Sequence, residues 1–171
     1  NVHKSAINAL ILCGIIPVYV DPGIHPKLGI SLGMCAADVE AAIAAHPEAK
    51  AVFVNNPTYY GICADLRRIT EAAHRAGMAA LIDEAHGTHF YFGDDMPLSA
   101  MAAGADMAAV SMHKTGGSLT QSSLLLMRRD RVNPDYVRTV ISLTQTTSAS
   151  YPLMSSLDIA RKALDTEGAE T

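Results

Sequence analysis

The sequence predicts an α/β protein of three layers, with helices on both sides of a mostly parallel sheet. Three observations carry this. Short apolar runs alternate with helical patterns along the chain. The central runs (51–54, 79–82 and 107–110) are continuously apolar rather than alternating, the pattern of strands buried on both faces of a parallel sheet. The chain has 171 residues, 49% hydrophobic and 18% charged, which suits one domain with a real core.

In chain order, residues 5–13 read as a helix stopped by Gly14, and residues 17–20 as a short strand. Residues 36–46 form an Ala-rich helix with Val39 and Ile43 four apart. The strand at 51–54 is broken by Asn55-Asn56-Pro57-Thr58. Residues 65–76 give the clearest helix: Asp65 caps it, Leu66, Ile69 and Ala73 share a face, and Gly77 ends it. Strands follow at 79–82, 107–110 and 124–127, with a short helix at 98–103. Helices at 134–143 and 152–164 complete the pattern. Right-handed crossovers are the default connection between parallel strands.

Bulk properties narrow the function. A net charge of −4, evenly spread, leaves no basic footprint for nucleic acid and points to small-molecule partners. Cys13, Cys35 and Cys63 are odd in number, far apart and lack a CxxC pair. That argues against a disulfide framework or zinc ribbon and for a reducing cytoplasm. The apolar stretch 6–20 is interrupted by Asn8, Gly14 and Pro17, too short and broken to span a bilayer, and no signal peptide is visible. The chain opens at Asn1 without Met and closes on a polar run, so a segment of a longer protein is expected.

In open α/β sheets, ligands bind outside the carboxyl ends of the strands. Three successive strand ends release polar residues here: Asn55 to Tyr60, Asp83 to Gly87, and Ser111 to Thr115. Parallel strands bring all three to one crevice. Asp83 follows directly on Leu81-Ile82, and a carboxylate leaving the sheet there needs a cationic or hydrogen-bonded partner. It either caps a turn or faces a protonated pyridine ring, whose charge it would preserve. Lys114 stands between His113 and Thr115-Gly116-Gly117. It is either a solvated loop charge or, where desolvation and a neighbouring His lower its pKa, an imine-forming amine. Ser111 and the Gly116-Gly117 backbone could bind phosphate. His86 and His89, beside Asp83 and Glu84, suggest a hydrolase metal centre, but no recognised zinc spacing is present and no metal is expected. His25, His46 and His74 read as solvated.

Asn1-Val2-His3-Lys4-Ser5, Pro57-Thr58-Tyr59-Tyr60-Gly61, Asp83-Glu84-Ala85-His86-Gly87-Thr88-His89-Phe90, Ser111-Met112-His113-Lys114-Thr115, Leu119-Thr120-Gln121-Ser122-Ser123 and Thr146 to Pro152 occur in one order. This set resembles the Orn/Lys/Arg decarboxylase family, specifically its major domain of the aspartate-aminotransferase fold (fold type I), which binds pyridoxal 5'-phosphate (PLP). The likeness covers essentially the whole chain. It implies that residues 1–171 are part of a major PLP-binding domain, truncated at both ends, with the C-terminal small domain absent.

Carried over by position, the resemblance makes Lys114 the Schiff-base lysine and Asp83 the pyridinium partner. His3 resembles the His that stacks on the cofactor ring, and Ser111 a phosphate ligand. His113 resembles the residue that positions substrate and its reacting carboxylate, and His86 resembles a residue lining the cofactor pocket. The implied reaction is decarboxylation of arginine, lysine or ornithine to its amine and CO₂, giving a polyamine or its precursor. Lys114 or His113 would return the proton to Cα. The family's phosphate-binding segment lies upstream of Asn1, Ala149 replaces a frequent Pro, and active sites at dimer interfaces imply a homodimer or higher oligomer. The isolated segment would then be inactive. An aminotransferase or C–S lyase of the same fold, a non-catalytic or regulatory relative and a metal-dependent hydrolase are the alternatives. Glu84 and Asp94 are the candidate carboxylates for the substrate's distal cation.

Overall fold

The structure is a computed structural model that describes residues 2–93 and 95–168. The elements are α1 (Lys4–Leu12), α2 (Ala36–Ala45), β1 (Ala51–Asn55), α3 (Leu66–Arg75), β2 (Ala79–Asp83), a 3-10 turn (Thr88–Tyr91), β3 (Met107–Val110), α4 (Met112–Thr115), β4 (Leu124–Met127), α5 (Pro134–Thr144) and α6 (Tyr151–Glu167). The sheet runs in the order β1-β2-β3-β4. β1, β2 and β3 pair in parallel, and β4 is antiparallel to β3, with Val110 opposite Leu124. The fold is therefore α/β with a mostly parallel open sheet.

Side chains alternate across each strand, so the register decides what the core contains. Val54 pairs with Ile82, and Ile82 with Ala108. These residues, with Val110, bury against Ala36 and Val39 of α2 and Leu66 and Ile69 of α3. Sequence signals explain α3 well. Asp65 Oδ1 accepts from Arg68 N at 3.1 Å, Ile69 and Ala73 are fully buried, and Gly77 ends the helix at φ +75°. Arg68 grips Glu40 of α2 with two hydrogen bonds, Nε to Oε1 at 2.9 Å and Nη2 to Oε2 at 2.6 Å. The two faces of the sheet are unequal, however. On the second face Phe53 is 40% exposed and Leu125 43%, so cover there is thinner than continuously apolar strands suggest.

Two expected elements differ. Residues 17–20 form no strand among the described residues, and Ile16 is 92% exposed. A strand needs a hydrogen-bonding neighbour as well as apolar residues, and this stretch meets none. No helix covers residues 98–103; residues 100–104 form a turn instead. The Ala100 N–H donates to the Glu84 carboxylate at 2.7 Å, and Gly104 at φ +92° reverses the chain.

At the amino ends of the strands, Asp106 is 2% exposed. Its Oδ2 accepts from His74 Nε2 at 2.8 Å and from Ala80 N at 2.8 Å. His74 is thus a fastener between α3 and the sheet, not the solvated side chain its helix position suggests. No described helix is long and apolar enough to cross a membrane.

Candidate active site

The opposite ends of the strands converge as the parallel arrangement requires. Asn55 of β1 lies beside Asp83 of β2, and Asp83 beside Ala109 of β3. The ladder continues one step further: Asn56 N donates to Asp83 O and Glu84 N to Ala109 O, each at 2.9 Å. The three strand ends therefore separate together and leave an open cavity of about 370 Å³ between them. That lies at the lower end of the range typical of small-molecule sites.

Asp83 and Lys114 both line this cavity, with Ser111, His86 and His3. Asp83 is half-buried and accepts from Ala85 N at 3.2 Å. Lys114 sits in α4, a single turn whose N-terminal flank is Ser111. Its Nζ lies 3.4 Å from His86 Nε2, so its histidine neighbour in space is His86, not the adjacent His113. Burial, then the Lys114 charge, lowers the His86 pKa, against an opposing effect of Asp83. The Tyr59 ring meets His86 edge-on, with centroids 5.4 Å apart. His3 arrives from the start of α1, where its Nδ1 accepts from Ser5 N at 3.3 Å.

One expected site residue stays outside this group. The His113 ring bonds through Nδ1 to the Ser122 carbonyl at 2.9 Å and is absent from the cavity lining. Conversely, Asn55, Tyr59 and Ser123 line it. Asn55 and Tyr59 belong to a polar strand end that was visible in the sequence. Ser123 belongs to the run 119–123 but carries no sign of a site role in the sequence, because it precedes a strand. It reaches the cavity because β4 runs antiparallel, which puts the start of β4 beside the end of β3.

Glu84 cannot serve this cavity as a cation-binding carboxylate. It is fully buried, accepting from Tyr91 Oη at 2.5 Å and Ala100 N at 2.7 Å. Burial pushes its carboxyl up to about 7, with those two hydrogen bonds acting in the opposite direction. Asp94 lies outside the described residues. His89 packs edge-on against Phe90, centroids 4.7 Å apart, and no metal-holding group of three or more His, Cys, Asp or Glu occurs among the described residues.

The Orn/Lys/Arg decarboxylase, major domain, matches residues 1–171. The chain belongs to the Orn/Lys/Arg decarboxylase family. It is 51% identical over 170 residues to an arginine decarboxylase of Bacillus subtilis (strain 168), covering 99% of this chain and 35% of that protein. It is 53% identical over 170 residues to an arginine decarboxylase of Halalkalibacterium halodurans, again covering 99% and 35%. The chain thus spans about a third of the length of these curated relatives. Among solved structures, the SepCysS–SepCysE N-terminal domain complex aligns with a TM-score of 0.69 at 13% identity, over 96% of this chain and 45% of that one. Mouse CSAD aligns at 0.62 and 17% identity, over 96% and 34%. At such identities these structures speak for the fold. Within it, this decarboxylase-family segment places an amine, a carboxylate and hydroxyls around one cavity.

Proposed function

We propose that the complete protein is a PLP-dependent decarboxylase of a basic amino acid, and that this chain is part of its major domain. The observation that carries the reading is the meeting of Lys114, Asp83, His3 and Ser111 at one cavity in a chain of this family. The donor set fits the cofactor: an amine for its aldehyde, a carboxylate for its ring nitrogen, an imidazole for its ring face, and the Ser111 and Ser123 hydroxyls for its phosphate. Bound PLP supplies an electron-poor ring that accepts the electron pair left when a carboxylate departs as CO₂.

The chain's own residues have definite work in this scheme. Lys114 would hold the cofactor through its amine and, when that amine is free, would deliver a proton to the substrate Cα. Asp83 keeps the ring nitrogen protonated, which a carboxylate at short range favours. His86, beside Lys114 and with its pKa lowered, accepts a hydrogen bond from the lysine amine and orients it. His113 supports the wall of the site by holding Ser122, next to Ser123. The substrate's distal cation requires a carboxylate beyond Asp83, supplied elsewhere in the complete protein or by a second copy in a homodimer or larger homo-oligomer. The amine product is a polyamine or its precursor, and the setting is the cytoplasm.

The test is CO₂ release from arginine, lysine and ornithine by the complete protein with PLP. Stoichiometric CO₂ and amine from one of the three supports the proposal. Formation of the keto acid without CO₂ replaces it with an aminotransferase.

A further inference from the structure

Lys114 is carried by one turn of helix, and a four-residue helix has little stability of its own. Something outside α4 must hold it. The Ser111 carbonyl, which accepts the Lys114 backbone N–H at 3.1 Å, also accepts the Thr88 hydroxyl at 3.2 Å. Thr88 is fully buried, so this hydroxyl has no water to turn to. Its γ-methyl packs where α4 ends: a Cβ at Gly116 would meet Thr88 Cγ2 at 2.8 Å. Thr88 itself begins the 3-10 turn whose last residue, Tyr91, donates to the buried Glu84 carboxylate. Glu84 adjoins Asp83 in sequence. A continuous set of contacts therefore runs from the end of β2 through the 3-10 turn to the helix of Lys114.

We propose that Thr88 is a positioning residue for Lys114: its buried hydroxyl fixes the Ser111 carbonyl from which the lysine's turn is built. This rests on the reading of Lys114 as the cofactor-bearing lysine. Glu84 secures the turn that presents Thr88, which gives its buried carboxyl a structural use distinct from substrate binding.

Thr88→Val keeps the shape and removes the hydroxyl; Thr88→Ser keeps the hydroxyl and removes the methyl. In the complete protein, Thr88→Val should lower kcat about five- to tenfold with little change in KM, the loss expected for one buried hydrogen bond. Hydrogen exchange at the Lys114 amide of the cofactor-free protein should accelerate by a similar factor. Thr88→Ser should stay within about twofold of the parent on both measures. Thr88→Ala and Thr88→Ser, which differ only in the hydroxyl, make the same comparison if Thr88→Val does not fold. A Val variant matching the parent, or a Ser variant as impaired as the Val variant, overturns the proposal. Borohydride labelling of the parent separates the two claims. Failure to label Lys114 removes the cofactor reading, while the exchange result still decides whether Thr88 holds the turn.

Discussion

The two ends of the sheet handle an aspartate in opposite ways. At the amino end Asp106 is buried at 2% exposure and takes hydrogen bonds from His74 and Ala80, with Arg131 Nε at 3.9 Å. At the carboxyl end Asp83 is half-buried, takes a bond from Ala85 two residues on, and lines an open cavity. A buried carboxylate has to be satisfied by the fold, and Asp106 is. Asp83 keeps carboxylate surface available to a ligand. The contrast separates a side chain that holds the protein together from one available for chemistry, although both stand beside apolar strands in the sequence.

Three substitutions test that division. Lys114→Ala should reduce kcat of the complete protein by more than about a thousandfold while leaving its thermal unfolding nearly unchanged; a comparable loss of stability would make the carboxyl end structural after all. Asp83→Ala should cost about a hundredfold or more in kcat, again with unfolding little affected. Full activity in that variant contradicts the ring-nitrogen role. Asp106→Ala should show the reverse, a destabilisation of about 2–4 kcal/mol from the unpaired His74 and Ala80 groups. Denaturant titration reads it, and cofactor binding by the folded fraction should persist.

The smallest effect concerns Glu84. Its carboxyl is held up at about 7 in the folded protein, above its ordinary value of 4.5. Its contribution to stability is therefore complete below pH 4.5 and declines as pH rises through 7, by at most about 3 kcal/mol. Glu84→Gln should remove that decline, so stability curves at pH 5 and pH 8 would differ less in the variant than in the parent. Equal pH dependence in both proteins would contradict it.

Much of this was legible in the sequence because local chemistry decides it. Asp65 and Gly77 bracket α3, and the polar residues after each apolar run place Asp83 and Lys114 at one sheet edge. What the sequence hid depends on distant partners. The antiparallel turn of β4 brings Ser123 to the cavity, and nothing in the run 124–127 encodes direction. The stretch 17–20 has strand composition but pairs with no neighbour among the described residues. His74 looks like a surface residue of α3 until Asp106, 32 positions away, is placed beside it. Glu84 stands in the sequence as a candidate for the substrate's distal cation, yet alternation along the chain sends adjacent side chains to opposite faces. One lines the cavity and the other is buried behind it.

The central claim is that the amine of Lys114 is the attachment point for PLP. Borohydride reduction of the complete protein with PLP, followed by peptide mapping, tests it most directly. Stoichiometric pyridoxyl label on Lys114, abolished in Lys114→Ala, is the predicted result; label on another lysine, or none, would contradict it.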